Sequence, residues 1–202
     1  MRAYQPMIKN RIGIFSGSFD PIHKGHIAFA LQAIDRTKLD EIYFLPEVKS
    51  RYKSETSHIS HRLAMLELAI KPYSKLKILE LPDRQFTVAK TLPRLKQHFK
   101  HNDLLLIIGS DVLEHIESWP LAESLIEQIG LIIGVRNNHK INKEIFRLKP
   151  KELFFIDSKQ PTISSSQIRR AVKKGKSAPG SLTAVDVYIK KHWLYSAIPK
   201  SS

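Results

Sequence analysis

The chain has 202 residues, a length that fits one α/β domain or one such domain with a small helical appendage. It contains no cysteine, which excludes disulfide bonds, thiolate catalysis and cysteine-based zinc sites and fits a reducing cytoplasm. Its 33 lysines and arginines against 19 aspartates and glutamates give a formal net charge of +14, which suits polyanionic ligands without choosing among them.

Apolar runs alternate with helix-like segments along the chain. Strands are predicted at 12–15, 42–45, 76–79, 104–108, 131–135 and 153–156, and helices from Lys24 onward and at 59–70, 88–99, 121–129 and 183–192. This alternation predicts an α/β fold, a Rossmann-like doubly wound parallel sheet with a small C-terminal helical extension. We expect a flexible lead-in over 1–10, a single domain over 11–195 and a tail over 196–202. The sequence shows no membrane-spanning run and no signal-peptide pattern.

The first predicted strand leads through a loop of small residues at 16–18 into the helix at Lys24. His23 and His26 are three residues apart, so they lie within one turn of each other where this helix begins. A helix N-terminus attracts anions through its unpaired N–H groups and partial positive charge. Gly25 removes a side chain where a substrate has to approach. The pattern therefore predicts a phosphate site; the alternative is a surface loop with two solvated histidines.

The stretch Gly17-Ser-Phe-Asp-Pro-Ile-His-Lys-Gly-His26 resembles the signature of the nucleotidyltransferase superfamily with a His-x-Gly-His motif. Within it, the chain is most similar to the bacterial type of nicotinate-mononucleotide adenylyltransferase. The histidine at position 23 favours this branch over the phosphopantetheine branch, which usually has threonine there. The resemblance implies that the catalytic residues are His23 and His26 and that ATP is bound in part by Gly17, Ser18, Phe19 and Gly25.

The polar loop 46–58 follows the second strand and carries Lys49, Arg51 and Lys53. These cations either reach phosphate or belong to a solvated loop, because the Pro-Pro-His-Lys-like stretch of the family is absent here. Arg62 stands at the start of the next helix, and its role also stays open.

The middle of the chain contains the residues that the resemblance assigns to the acceptor and to the ribose. Phe86 stands where relatives usually have tyrosine, and Thr87 is expected near the nicotinate ring and its carboxylate, or else as a helix N-cap. Gly109 permits close approach after the central strand, and Asp111 offers a carboxylate to ribose hydroxyls or caps a helix. Trp119 matches the tryptophan that stacks on the pyridine ring in relatives; the alternative is plain packing.

A second hydroxyl-rich helix start occurs at Ile163-Ser-Ser-Ser-Gln-Ile-Arg169. Ser164 and Gln167 have the spacing of a capping box, and an arginine one turn later suits phosphate. The stretch resembles the Ile-Ser-Ser-Thr-x-x-Arg motif of the family. That likeness implies that Ser165, Ser166 and Arg169 hold the phosphates of ATP that leave as pyrophosphate.

The resemblance covers nearly the whole chain and implies adenylyl transfer from ATP to nicotinate mononucleotide, giving deamido-NAD and pyrophosphate in NAD biosynthesis. Mg²⁺ is expected with ATP, although the sequence shows no dedicated protein ligands for it. The alternatives are another acceptor, such as nicotinamide mononucleotide or phosphopantetheine, and a non-catalytic RNA-binding module suggested by the basic C-terminal third. Nucleic acid is not the expected partner, and homo-oligomerisation stays open.

Overall fold

The computed structural model describes residues 9–49, 56–135, 150–157 and 163–196. These described residues form six strands: β1 Arg11–Gly17, β2 Glu41–Pro46, β3 Leu76–Ile78, β4 Asp103–Gly109, β5 Gly130–Val135 and β6 Leu153–Asp157. The helices are α1 Lys24–Thr37, α2 Ile59–Ile70, α3 Val88–His98, α4 Ser110–Leu113, α5 Ala122–Gln128, α6 Ser165–Lys173 and α7 Thr183–Lys191, with a 3-10 turn at Ile116–Ser118. The predicted elements end within two residues of these bounds, whereas α4 and the 3-10 turn were not predicted. Residues 1–8 of the expected lead-in, 197–202 of the expected tail, and Arg51 and Lys53 lie outside the described residues.

The strands form one parallel sheet in the order β3-β2-β1-β4-β5-β6. The chain starts at the centre of the sheet, winds outward to β3, and then returns to place β4 on the other side of β1. The strand order therefore reverses between β1 and β4, which is where open parallel sheets bind their ligands. This topology confirms the predicted Rossmann-like doubly wound sheet.

The sheet is buried on both faces, which explains why its strands have nearly unbroken apolar sequences. Side chains of β4 show the arrangement: Leu104, Leu106 and Ile108 face the core shared with α3 and α5, whereas Leu105 and Ile107 face the core shared with α1, α2 and α7. All five are at most 4% exposed. Burying each such side chain contributes about 1.5–3 kcal/mol, so β4 anchors both layers.

The C-terminal extension packs on the same core as the sheet. Val185 and Ile189 of α7 are each 1% exposed and lie in the cluster that α1 and α2 also line. After α7, Trp193 and Tyr195 have positive φ angles of 52° and 59°, so the chain turns back on itself. That turn directs Tyr195 toward the loop that follows β1. In the described ranges, each helix is too short or too polar to cross a bilayer.

Candidate active site

The loops at the carboxyl ends of β1 and β4 flank the point where the strand order reverses. The loop after β1 continues to His23, the N-cap residue of α1, whereas β4 ends at Gly109, which is directly the N-cap residue of α4. The structure thus places both predicted motifs at the edge where the sheet can accept a ligand.

His23 and His26 lie together at the start of α1. Their rings stack with centroids 3.7 Å apart and an interplanar angle of 25°. The backbone N–H of His23 donates to Nδ1 of His26 at 3.3 Å. Because Nδ1 of His26 accepts this bond, the neutral ring carries its proton on Nε2 and presents a donor from that side. His23 is only 3% exposed, so its ring supports His26 from within the protein.

Small and aromatic neighbours fix this pair. A Cβ at Gly25 would lie 3.0 Å from Nδ1 of His23, so the glycine makes room for the His23 ring rather than only for substrate. The Phe19 ring lies edge-on to His26 with centroids 5.2 Å apart and is 2% exposed. Phe19 has a φ of 45°, a conformation that a bulky residue holds only when its surroundings enforce it. Phe19 therefore packs against His26 and holds it in place. A Cβ at Gly17 would lie 3.2 Å from the Phe19 ring, so the glycine leaves room for that ring.

The second predicted phosphate motif begins α6 and meets the same loop. Ser164 Oγ accepts from the N–H of Gln167 at 3.2 Å, and the Gln167 side chain accepts from the N–H of Ser164 at 2.8 Å, which is the predicted capping box. The hydroxyl of Ser165 donates to the carbonyl of Pro21 at 3.0 Å. This bond ties α6 to the loop before α1, so the N-termini of both helices converge.

Arg169 lies one turn into α6 and spans the two motifs. Its Nη1 donates to the carbonyl of Asp20 at 2.6 Å, and its Nη2 donates to Ser166 Oγ at 3.2 Å. About a quarter of its side-chain surface is exposed. Each η nitrogen carries a second hydrogen, so the guanidinium retains donors for an anion.

Asp20 is the residue of this site that sequence reasoning missed. It is 1% exposed, and its Oδ1 accepts from the hydroxyl of Tyr195 at 2.6 Å. Its Oδ2 accepts from the N–H of Ser57 at 3.2 Å and lies 3.9 Å from Nη1 of Arg169. The only signal in the sequence was the position of Asp20 inside the first motif, because its partners lie far along the chain.

Arg62 has a structural role rather than contact with a ligand. The side chain is fully buried, and its guanidinium donates to four carbonyls at 2.7–3.0 Å, those of Ser18, Glu47, Val48 and Ser57. Burial lowers the pKa of Arg62 from its ordinary value, and the nearby charge of Asp20 opposes that shift. Arg62 thus joins the loops after β1 and β2. Lys49 is exposed, and its N–H donates to the carbonyl of Arg84 at 2.7 Å.

Glu47 is a second carboxylate that sequence reasoning did not single out. Its Oε1 accepts from the hydroxyl of Ser16 and from the N–H of Phe86, both at 3.2 Å. Ser16 thus has its own partner on the loop that follows β2. This arrangement holds the segment of Phe86 and Thr87 beside the end of β1.

A pocket of about 240 Å³ lies next to that segment. It is lined by Thr87, Val88, Ala89, Lys90, Trp119 and Pro120. The Trp119 ring is 8% exposed and lies 6.0 Å from the ring of Phe86, which is itself 2% exposed. Thr87 occupies the N-cap position of α3, yet its hydroxyl makes no cap hydrogen bond, and Oγ1 is buried without a partner among the described residues. The structure therefore brings Thr87 and Trp119 together at one pocket and places Phe86 beneath them.

Gly109 and Asp111 form the third part of the site. A Cβ at Gly109 would collide with Oδ1 of Asp111, so the glycine lets that carboxylate fold back over the end of β4. Asp111 is exposed in the first turn of α4 and does not cap it, because the N-cap position belongs to Gly109. Within the described ranges, no group of three histidine or acidic side chains is close enough to hold a metal ion.

Comparison with known proteins supports the family suggested by the motif. Residues 14–171 match the family model described as cytidylyltransferase-like. A nicotinate-nucleotide adenylyltransferase of Bacillus subtilis is 31% identical over 196 residues, covering 93% of this chain and 99% of that protein. A probable nicotinate-nucleotide adenylyltransferase of Thermus thermophilus is 32% identical, with 92% and 99% covered.

The fold also matches a solved structure. The nicotinic acid mononucleotide adenylyltransferase of Plasmodium falciparum complexed with NaAD aligns with a TM-score of 0.77 at 24% identity, covering 92% of this chain and 97% of that one. At 24% identity this match supports the fold alone. Together with the family model and the two relatives that cover almost the whole chain, it confirms the resemblance stated above: the chain belongs to the nicotinate-nucleotide adenylyltransferase family of cytidylyltransferase-like proteins.

Proposed function

We propose that this chain transfers the adenylyl group of ATP to nicotinate mononucleotide, giving deamido-NAD and pyrophosphate in NAD biosynthesis. The observation that carries the proposal is the convergence of the N-termini of α1 and α6 on the loop at Asp20 and Pro21, one with the stacked histidines and the other with Arg169. Two such N-termini side by side suit a triphosphate. The substrates follow from the names of the relatives and from the NaAD complex of the Plasmodium protein.

The reaction is an in-line displacement at the α-phosphorus of ATP. A phosphate oxygen of nicotinate mononucleotide attacks, and the bond to the bridging oxygen breaks as pyrophosphate leaves with the electron pair. A phosphate monoester is already nucleophilic near neutral pH, so no general base is required. The protein then has to position the reactants and stabilise the charge that develops.

The two histidines are proposed to hold the α-phosphate. The Nε2–H of His26 is the donor for a nonbridging oxygen, since Nδ1 is engaged by the backbone of His23. His23 stacks on that ring and keeps it in place. The donor is oriented before substrate arrives, and preorganised donors of this kind supply the largest share of many rate enhancements.

The leaving pyrophosphate is assigned to the start of α6. Arg169 has donors left on both η nitrogens after its bonds to Asp20 and Ser166. The hydroxyl proton of Ser165 is used by Pro21, so Ser165 is proposed to act through its place at the helix N-terminus. Ser18 is proposed to contribute backbone contacts beside them.

The acceptor is assigned to the pocket of Thr87 and Trp119. There the indole is proposed to stack on the pyridine ring, and the Thr87 hydroxyl, which has no partner among the described residues, is proposed to donate to the nicotinate carboxylate. Asp111 is proposed to accept from ribose hydroxyls, with Gly109 allowing the approach. Mg²⁺ is proposed to arrive bound to the phosphate oxygens of ATP, because the described side chains do not form a cage for it. We place the reaction in the cytoplasm, where ATP is available.

The test is pyrophosphate release from ATP and Mg²⁺ by the purified chain, with nicotinate mononucleotide, its amide or phosphopantetheine as acceptor. A strong preference for the acid supports the proposal. Preference for the amide or for phosphopantetheine would keep the chemistry and overturn the acceptor. No release with any of them, together with salt-sensitive RNA binding, would favour the non-catalytic module.

A further inference from the structure

The C-terminal turn carries a contact that the catalytic scheme does not use. Tyr195 lies 175 positions after Asp20, and its hydroxyl donates to the buried Oδ1 of that residue at 2.6 Å. Burial and the charge of Asp20 raise the pKa of Tyr195 far above its ordinary value, so the hydroxyl remains a donor. The positive φ angles of Trp193 and Tyr195 are what bring the ring there.

Asp20 faces Arg169 with both carboxylate oxygens already engaged. Tyr195 occupies Oδ1 and the N–H of Ser57 occupies Oδ2, which stays 3.9 Å from Nη1 of Arg169. The guanidinium instead donates to the backbone carbonyl of Asp20 at 2.6 Å. The Asp20 carboxylate is therefore kept from forming a bidentate ion pair with Arg169. Such a pair would occupy the guanidinium donors that a phosphate needs.

We propose that Tyr195 is a positioning residue for Arg169: its hydroxyl holds the Asp20 carboxylate away from the guanidinium, so that Arg169 stays available to the phosphates of ATP. This inference rests on the proposed function and adds the C-terminal turn to the nucleotide site. Without the hydroxyl, Oδ1 loses the donor that Tyr195 supplies at 2.6 Å, and a buried carboxylate oxygen that has lost its donor is drawn toward a nearby cation. Among the described residues, Arg169 forms the ion pair with this carboxylate, with Nη1 3.9 Å from Oδ2.

Tyr195→Phe tests this directly because it removes one oxygen and keeps the ring. We expect the Kd for ATP, measured by calorimetry without acceptor, to rise about tenfold, the scale of one hydrogen bond to a charged group. The KM for nicotinate mononucleotide stays the same. Tyr188→Phe is the matched control, since it removes a hydroxyl from the same region whose partner is Nδ1 of His61 at 2.9 Å. ATP binding is expected to be unchanged in that control.

A double-mutant cycle separates positioning from general loosening of the C-terminal turn. Asp20→Asn removes the charge that competes for Arg169, so adding Tyr195→Phe to it leaves the Kd for ATP within about twofold of the single Asp20→Asn variant. An equal loss of ATP binding in both backgrounds would overturn the proposal, as would a Kd for Tyr195→Phe equal to that of the wild type.

If Tyr195→Phe does not fold, Asp20→Asn alone carries the test. The proposal expects ATP to bind this variant at least as tightly as the wild type, because the competing carboxylate is gone; a tenfold loss of affinity, on the scale of one charged hydrogen bond, overturns it. Pyrophosphate release by the wild type distinguishes the two proposals. A wild type that binds ATP and releases no pyrophosphate contradicts the proposed function, whereas an active wild type with unaffected variants contradicts only the positioning role.

Discussion

The rings of His23 and His26 lie 3.7 Å apart with an angle of 25° between them, and the backbone N–H of His23 donates to Nδ1 of His26. One residue thus fixes its neighbour twice, by stacking and by selecting the ring nitrogen that carries the proton. A general acid or base would need the proton to move; here the ring is held as a stationary donor. This matches a reaction in which charge stabilisation is the main task.

His26→Ala is expected to lower kcat by about 10²–10³, the loss seen when one transition-state donor is removed from a preorganised site. The measurement is steady-state pyrophosphate release at saturating substrates. His101→Ala, at an exposed histidine, serves as the control and should leave the rate unchanged. A rate for the His26 variant close to that of the wild type would rule out the donor role.

Gly25→Ala is expected to lower turnover by about tenfold while the free energy of unfolding stays the same or rises. The added Cβ lies 3.0 Å from Nδ1 of His23 and moves that ring by a few tenths of an ångström. Alanine is meanwhile favoured over glycine in a helix by about 1 kcal/mol. Steady-state kinetics measures the change in turnover, and urea unfolding measures the change in the free energy of unfolding. Full activity in a folded variant would show that a Cβ at position 25 does not displace the His23 ring.

Arg62→Ala is expected to lower the free energy of unfolding by about 3–5 kcal/mol, because four carbonyls lose a buried donor at once. The measurement is the free energy of unfolding in water, obtained from the midpoint and slope of denaturant unfolding. Arg84→Ala, at an exposed arginine, should change stability by less than about 0.5 kcal/mol. A small effect at Arg62 would mean that the loops after β1 and β2 do not depend on it.

Thr87→Val is expected to raise the KM for nicotinate mononucleotide about tenfold, without loss of stability, since the described part of the chain gives its hydroxyl no partner. The KM for ATP should not change. Thr91→Val is the matched control because Thr91 Oγ1 accepts from the N–H of Thr87 at 2.9 Å. That control should cost about 1 kcal/mol of stability. If the KM for nicotinate mononucleotide is the same for Thr87→Val and the wild type, the Thr87 hydroxyl does not bind the acceptor.

The pH dependence of stability should report the buried tyrosine. The pKa of Tyr195 is raised from its ordinary value of 10.0, first by burial and then by the charge of Asp20. Above pH 10 the unfolded chain releases this proton and the folded chain keeps it, so the contribution of Tyr195 is complete below pH 10 and declines as pH rises. The stability difference between wild type and Tyr195→Phe should therefore shrink by up to about 1.4 kcal/mol per pH unit. Urea unfolding of both proteins up to about pH 11 measures it, and a constant difference would contradict burial of the hydroxyl.

The strands and long helices were predictable because each has a strong local pattern. β4 is an unbroken apolar run because helices cover both faces of the sheet. The start of α6 is predictable from the capping-box spacing of Ser164 and Gln167. α4 was missed because four residues are too few to show a helical period. The family and its chemistry followed from the first motif.

The roles of several side chains were not predictable, because they depend on partners distant in the sequence. Ser165 was assigned to ATP from its motif, and nothing local indicates that its hydroxyl bonds Pro21, 144 positions away. The role of Arg62 at the start of α2 stayed open in the sequence, because nothing local indicates that two loops close over its side chain. Asp20 has one partner 37 positions away and another 175 positions away. Only packing of the folded chain reveals such contacts.

The bond between Asp20 and Tyr195 also has a consequence for the order of synthesis. A ribosome adds about 5–20 residues per second, so Asp20 precedes Tyr195 by about 10–35 s. During that interval the six strands can be completed while the carboxylate of Asp20 lacks its tyrosine partner. Under the proposed role of Tyr195, a nascent chain gains its full affinity for ATP only when the C-terminal turn has docked on Asp20.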